Sequence, residues 1–283
     1  MSEACDHCDH SHCDSCGQKP QLNEQDIAIA DFLHQVKHKI VVMSGKGGVG
    51  KSTVSVDLAI ILSQRGYKVG LMDVDLHGPS VAGMLGFTGK HVQVMGEQLI
   101  PFKYNDNLEF LSAQGFLQNE DDALIWRGPL KIGAIRQFMS DTNWGPLDYL
   151  IIDCPPGTGD EPLTVVQTIP DSEAIIVTTP QKVALADVRK SLSFCELGNI
   201  PVRGIIENMS GFICPHCGQE VDIFKTGGGK ALAEEKHLPF LGKIPIDPMV
   251  VAAEDNGDPL ANISEGCRKA LEGIVDKVVE KDK

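Results

Sequence analysis

The stretch that decides the fold is Gly45-Lys46-Gly47-Gly48-Val49-Gly50-Lys51-Ser52-Thr53, which matches the P-loop pattern G-x-x-x-x-G-K-[ST]. The apolar run Lys39 to Ser44 precedes it, and Lys51 to Gln64 has apolar residues at helical spacing. Glycines between a strand and a helix allow backbone N–H groups to converge on phosphate oxygens at the helix N-terminus. We therefore expect all nine residues of the loop to contact a nucleoside triphosphate.

Two lysines and a hydroxyl give this loop its predicted chemistry. Lys51 places a positive charge on the β- and γ-phosphate oxygens, and the Ser52 hydroxyl completes a magnesium shell. Lys46 is a second lysine inside the loop, where most loops of this kind have no charge. This extra lysine indicates a subclass of P-loop ATPases.

Carboxylates follow two other predicted strands at their carboxyl ends, where ligands bind in open α/β sheets. Asp153 closes the apolar run Leu150-Ile151-Ile152, and we expect it to hold magnesium through water. Asp73 and Asp75 follow the second strand, and their i, i+2 spacing predicts that they point to the same side. One would order the metal shell, and the other would position or deprotonate the attacking water. The alternative is that these residues are helix caps or solvated strand ends.

Apolar runs of five to seven residues alternate with helical patterns from residue 39 onward. Several runs are apolar on both faces, as in parallel strands covered by helices on both sides. This predicts one α/β domain over residues 38–283, with a doubly wound, mostly parallel sheet. The predicted strands are Lys39–Ser44, Lys68–Asp73, Leu108–Ala113, Asp148–Asp153, Ala174–Thr178, Val202–Glu207 and Phe240–Ile244. The predicted helices include Lys51–Gln64, Leu130–Met139, Ala186–Leu197 and Leu260–Val279, with a hairpin over Gln93–Phe102.

The composition and charge of the chain disfavour several classes of protein function. The 283 residues carry 25 Lys and Arg against 39 Asp and Glu, a formal net charge of -14, which disfavours binding to nucleic acid. No apolar run approaches the roughly 20 residues of a membrane-spanning helix, so we expect no membrane association. The N-terminus is acidic and Cys/His-rich where a secretory signal would be basic and then apolar, and this predicts a reducing, cytoplasmic location.

Four of the nine cysteines form a predicted metal-binding tail over residues 1–20, followed by a leader helix or linker over residues 21–37. They are Cys5, Cys8, Cys13 and Cys16, interleaved with three histidines. Four thiolates suffice for one iron-sulfur cluster in one chain. The histidines leave zinc or nickel open, and a solvated tail that binds metal only adventitiously is the third alternative.

A second cysteine group is the pair Cys214 and Cys217, in Cys-Pro-His-Cys-Gly. A [4Fe-4S] cluster or a structural zinc usually takes four protein ligands, so one pair cannot close a site. Either a second pair in the same chain or the same pair of a second chain completes it. The spacing alone leaves iron-sulfur and a zinc knuckle open. The isolated Cys154, Cys195 and Cys267 lie in apolar surroundings and are expected to be buried.

Taken together, the motifs resemble those of the Mrp/ApbC family of iron-sulfur cluster carrier ATPases, within the deviant-Walker group. The resemblance spans residue 38 to the end of the chain. Besides the P-loop, the motifs that carry it are Asp73-x-Asp75-x-x-Gly78-Pro79-Ser80, Trp126-Arg127-Gly128-Pro129, Asp153-x-Pro155-Pro156-Gly157-Thr158-Gly159-Asp160, Glu207-Asn208-Met209-Ser210 and Cys214-Pro215-x-Cys217.

The resemblance implies a homodimer that binds ATP and Mg²⁺ and hydrolyses ATP slowly as a conformational switch. Lys46 would reach the partner's nucleotide, Lys51 would act in its own subunit, and Asp75 would orient the water. The adenine would lie near three residues, Asn208, Pro245 and Asp247. Cys214 and Cys217 would hold a [4Fe-4S] cluster that bridges the dimer, is received from cluster donors and passes to apo-proteins.

Two other function classes share these motifs. A positioning ATPase like MinD or ParA would need a basic DNA-binding face or a basic amphipathic tail. The C-terminal pattern Leu271, Ile274, Val275, Val278 and Val279 instead predicts a helix packed on the sheet. An electron donor like nitrogenase reductase would ligate its cluster through lone cysteines near the switches, and Cys154 is the candidate for that role.

Overall fold

The computed structural model describes residues 23–116, 128–214 and 216–282. The predicted metal-binding tail, with Cys5, Cys8, Cys13 and Cys16, lies outside the described residues, as do Trp126 and Arg127. The described strands are β1 (Val36–Ser44), β2 (Val69–Asp73), β3 (Gln93–Met95), β4 (Gln98–Ile100), β5 (Phe102–Lys103), β6 (Leu108–Ser112), β7 (Leu147–Asp153), β8 (Glu173–Thr178), β9 (Val202–Glu207), β10 (Phe212–Ile213), β11 (Glu220–Val221) and β12 (Phe240–Lys243). The helices are α1 (Glu24–His34), α2 (Lys51–Gln64), α3 (Val81–Met84), α4 (Gly128–Ser140), α5 (Asp160–Thr168), α6 (Lys182–Leu197), α7 (Gly228–Glu235), α8 (Pro248–Asp255) and α9 (Glu265–Glu280).

Eight strands form one sheet in the order β12-β9-β8-β1-β7-β2-β6-β5. Every neighbouring pair is parallel except β5 and β6 at the edge. The chain passes from β1 over β7 to β2, and later returns to place β8 on the other side of β1. The carboxyl end of β1 therefore lies at the centre of the sheet, where strand order reverses and ligands bind in such folds. This confirms the predicted fold class.

Helices cover both faces of the sheet. On one face the buried core includes Phe32 of α1, Phe138 of α4 and Leu192 of α6. On the other face it includes Leu58 of α2 and Leu271 of α9. Because both faces are covered, central strands such as β1 and β7 are apolar on both sides.

The two ends of the described chain are packed into this domain. In α1, Ile29 and Phe32 are buried, and β1 begins at Val36, within the segment predicted as leader helix or linker. In α9, Leu271, Ile274, Val275 and Val278 are buried, as expected for a helix packed on the sheet. No helix in the described ranges is both long enough and apolar enough to span a bilayer.

Candidate functional site

The phosphate loop joins the carboxyl end of β1 to the first turn of α2. Gly48 has φ +75° and Gly50 has φ +79°, a left-handed conformation that glycine adopts without strain. Gly50 is the N-cap of α2, so the helix begins at Lys51, as the sequence predicts. The positive end of a 14-residue helix is thus presented to the loop, which suits a phosphate ligand.

Gly45 is required because a larger residue would not fit at this position. A Cβ at this position would lie 2.4 Å from the backbone carbon of Asp187 in α6, whereas the nearest atom to a Cβ at Gly47 would be 3.9 Å away. We expect Gly45→Ala to lower the free energy of unfolding by roughly 1–3 kcal/mol through overpacking. Chemical denaturation of the nucleotide-free protein measures this, with Gly47→Ala as the matched control. Equal stability of the two variants would contradict the packing argument.

Lys51, Ser52 and Asp153 form a buried cluster beside the loop. The Lys51 Nζ lies 2.7 Å from Asp153 Oδ1, and the Ser52 hydroxyl donates to Asp153 Oδ2 at 2.6 Å. Burial alone would lower the pKa of Lys51, but the opposite charge of Asp153 outweighs it and the pKa is raised. The lysine therefore stays charged, and the structure brings together three residues that the sequence assigns to phosphate and magnesium.

Ser55 completes this cluster, although sequence reasoning does not identify it. Its hydroxyl donates to Asp153 Oδ1 at 2.7 Å, so both carboxylate oxygens accept a serine hydroxyl. The signal in the sequence is its position one turn after Ser52 on α2, which puts both side chains on the face that meets β7.

Asp73 and Asp75 lie in different environments at the carboxyl end of β2, which ends at Asp73, and the common orientation of their side chains stays a prediction. Asp75 lines the phosphate cavity. The Asp73 carboxylate is fully buried and accepts hydrogen bonds from the Ser112 hydroxyl and from the backbone N–H groups of Asp75 and Val81. Burial, and secondarily the charge of Asp153, raise the pKa of Asp73 to about 7. Asp73 thus holds the loop that carries Asp75, and its predicted place in the magnesium shell stays a prediction.

Two adjoining cavities meet at the start of α2. The first, of about 220 Å³, is lined by the phosphate loop together with Asp75 and Pro156. The second, of about 170 Å³, lies beyond it, and Gly50 and Thr53 line both. We call the second one the base cavity. A ligand with phosphates in the first cavity can therefore extend past Thr53 into the second.

The three residues that the sequence places near the adenine all line the base cavity. They are Asn208, Pro245 and Asp247. Asn208 donates through Nδ2 to the backbone oxygen of Val49 at 2.9 Å, which fixes the segment after β9 against the phosphate loop. Asp247 caps α8 by accepting from the Met249 N–H. Both polar side chains thus have structural roles in shaping the cavity.

Cys214 and Cys217 lie in the turn between β10 and β11, a two-stranded antiparallel hairpin. The Cys214 N–H donates to the backbone oxygen of Gln219, and the Gly218 N–H donates to that of Cys214. Cys217 is exposed and Cys214 partly so. The pKa of the Cys214 thiol is lowered because the backbone N–H groups of Cys217 and His216 donate to its sulfur, and the Cys217 thiol also contributes. A lowered pKa favours the thiolate, which is the metal-binding form.

The other described cysteines differ in environment. Cys154, Cys195 and Cys267 are buried, which confirms the prediction. Burial raises the pKa of Cys154, and it raises that of Cys195 to about 11 and that of Cys267 to about 12. Cys154 therefore lacks the exposure that a cluster ligand in an electron donor would need.

The hairpin is bonded directly to the wall of the base cavity. The Ile246 N–H donates to Gly211 at 2.7 Å, and the Ser210 N–H donates to Ile244 at 2.9 Å. Only five residues separate Asn208, bonded to the phosphate loop, from Cys214. The buried Glu207 also accepts from the Ser210 hydroxyl and from the Gly227 N–H, which anchors the segment after the hairpin. The nucleotide region and the cysteine pair are thus parts of one bonded unit.

Comparisons with known proteins agree with this architecture. An iron-sulfur cluster carrier protein of Methanocaldococcus jannaschii is 47% identical over 277 residues, covering 95% of this chain and 96% of the relative. A cytosolic Fe-S cluster assembly factor, the NUBP2 homolog of Dictyostelium discoideum, is 50% identical over 231 residues, covering 80% of this chain and 87% of the relative.

A solved structure extends the comparison to the fold and the ligand class. It is a nucleotide-binding protein from Archaeoglobus fulgidus in complex with ADP, with a TM-score of 0.73 and 40% identity, covering 82% of this chain and 91% of that one. The family model described as ParA, NUBPL iron-transfer P-loop NTPase, matches residues 35–279. With that match and the P-loop cluster described above, the chain belongs to the ParA family of iron-transfer P-loop NTPases.

Proposed function

We propose that this protein is an ATP-dependent iron-sulfur cluster carrier of the cytoplasm. It acts as a homodimer, receives a [4Fe-4S] cluster from a donor protein and passes it to apo-proteins. The observation that carries the proposal is the bonded unit between the phosphate loop and the hairpin of Cys214 and Cys217. The names of the M. jannaschii and D. discoideum relatives support the same role.

The residues of the phosphate cavity fit ATP with Mg²⁺. Gly48 leaves the loop backbone open to phosphate, and the Ser52 hydroxyl is an oxygen ligand of the kind magnesium prefers, beside the Asp153 carboxylate that would hold the ion through water. When bound, Mg²⁺ would neutralise charge on the phosphates. Lys51 would bind the β- and γ-phosphate oxygens, moving there from Asp153. Asp75 would orient the attacking water, since its side chain lines the cavity.

The number of cysteine ligands supports the homodimer. A [4Fe-4S] cluster takes four thiolates, and the hairpin offers two, so two chains would each contribute one pair. Such a cluster would lie at the protein surface, where an acceptor can reach it. Lys46 would reach the partner's nucleotide in the same dimer, and dimer formation would then respond to ATP.

ATP binding would alter the hairpin through the two contacts already described. The base of a nucleotide bound beside Asn208 and Pro245 would contact the segment between β9 and β10 and the loop before α8. Both segments are bonded to the cysteine hairpin, so a small change in the base cavity is passed to the cluster ligands. Hydrolysis then works as a switch between a cluster-holding and a cluster-releasing state.

A transfer assay tests this function. The chain is reconstituted with iron and sulfide under anaerobic conditions and mixed with an apo-acceptor, with and without ATP and Mg²⁺. We expect the acceptor to gain cluster while the carrier loses it, at a rate that changes with ATP. Reversible oxidation and reduction coupled to ATP, without loss of cluster, would instead identify an electron donor. No iron-sulfur binding at all would favour a positioning ATPase.

A further inference from the structure

The floor of the base cavity contains two acidic side chains that the proposed function does not use. Asp57 lies on α2, one turn after Thr53, and Glu254 lies on α8. Asp57 is 2% exposed. Among the described residues, neither Asp57 Oδ1 nor Glu254 Oε1 has a hydrogen-bond partner, although both atoms are buried. Unsatisfied buried oxygens are costly, so such a pair facing a cavity indicates a missing donor.

The residues around Asp57 and Glu254 indicate which kind of ligand could supply the hydrogen-bond donor. The remaining cavity wall includes the apolar side chains of Ile244, Ile246 and Val250, which suit a flat ring. Burial raises the pKa of Glu254, and the nearby Thr53 hydroxyl opposes this shift. The guanidinium of Arg268 is bonded to the Leu260 backbone oxygen rather than to Asp57. Asp57 Oδ1 is therefore free of the described side chains around it and can accept a hydrogen bond from a ligand in the cavity.

The surroundings of Asp57 favour its neutral carboxyl form over the carboxylate. Burial raises its pKa well above the ordinary value, the charge of Glu254 raises it further, and Arg268 opposes both effects. A neutral carboxyl group offers one O–H donor beside one carbonyl acceptor. On its N7 edge a 6-aminopurine presents the complement, an amino donor beside the N7 acceptor, whereas a 6-oxopurine presents two acceptors, O6 and N7, on the same edge.

We propose that Asp57, with Glu254 beside it, is the specificity-determining contact of the base cavity and selects a 6-aminopurine nucleotide over a 6-oxopurine nucleotide. This inference rests on the proposed ATP site and deepens it. Asn208, Pro245 and Asp247 shape the cavity, and Asp57 forms the hydrogen bonds to the 6-position of the base. The cavity thereby distinguishes ATP from GTP through a hydrogen-bond pair rather than through shape.

Three nucleotides test the proposal on the full chain. ATP carries the 6-amino group, purine riboside triphosphate lacks any 6-substituent, and GTP carries a 6-oxo group. We expect the wild type to bind ATP about tenfold more tightly than either of the others, since one buried hydrogen-bond pair is lost in each case. Asp57→Asn keeps one donor and one acceptor and should retain this ratio. Asp57→Leu should reduce it to within about twofold.

The ratio of the affinity for ATP to the affinity for the other two nucleotides distinguishes recognition of the base from a purely structural role of Asp57. A merely structural Asp57 would leave the ratio unchanged and weaken all three nucleotides equally, and this result would overturn the proposal. Ser191→Ala is the control, because Ser191 Oγ is also buried, has no partner in the described ranges and lies on α6. It should not alter the ratio. Asp57→Ala provides the same comparison if Asp57→Leu does not fold. If the wild type binds none of the three nucleotides, the ATP site itself is overturned. If the wild type binds ATP and Asp57→Leu leaves the ratio unchanged, only the role of Asp57 in recognising the base is overturned.

Discussion

Replacing Lys51 with alanine is expected to reduce ATP affinity at least about a hundredfold and to abolish turnover, because a preorganised charge on the phosphates is lost. The lysine is 6% exposed and lies 2.7 Å from Asp153, so its charge is held at the loop. The variant should also lose stability, on the order of 3 kcal/mol, since Asp153 is left buried beside Asp73 without its cationic partner. Isothermal titration with ATP and chemical denaturation measure the two effects.

The chain contains a matched control for this variant. Thr226-Gly227-Gly228-Gly229-Lys230 resembles a phosphate loop in composition, but its glycines begin the short helix α7, and Lys230 is exposed. We expect Lys230→Ala to leave ATP binding, turnover and stability unchanged. Lys51→Ala should also leave iron binding at Cys214 and Cys217 intact in reconstitution. Unchanged ATPase turnover in Lys51→Ala would contradict the phosphate-site assignment.

The second large effect concerns the cysteine pair. Cys214→Ala or Cys217→Ala should abolish cluster binding at the hairpin while ATP affinity is retained, because neither thiol contributes to the nucleotide cavities. Cys195→Ala is the control: that thiol is buried within the core, so the variant should keep the cluster. Iron and labile sulfide analysis after anaerobic reconstitution measures the outcome. Retention of iron at this site after both substitutions would refute the ligand assignment.

The central part of the fold follows from local sequence signals. α2 begins and ends where the apolar spacing and the glycine cap predict, and β9 spans Val202–Glu207 as predicted. These elements are predictable because a buried strand and a P-loop helix carry their pattern in a few consecutive residues. α7 begins within the glycine-rich segment described above, with Gly227 as its N-cap.

Other elements carry weaker signals. Helix α8 is missing from the predicted elements, although Asp247 caps it and Pro248 stands at its first position, a combination typical of a helix start. The strands β10 and β11 have two residues each, too few for a periodic pattern. The burial and hydrogen bonding of Asp73 could not be predicted either, because they depend on Ser112, a neighbour on β6 that sequence spacing does not reveal.

The central claim is that two chains share one cluster through Cys214 and Cys217. The most direct test measures iron, sulfide and zinc per chain, with the visible spectrum and molar mass, after anaerobic reconstitution. The full-length chain with its four N-terminal cysteines changed to serine isolates the hairpin site. We predict about two irons and two labile sulfides per chain in a dimer, since four thiolates hold four irons. Zinc alone, or no metal, would contradict the carrier function.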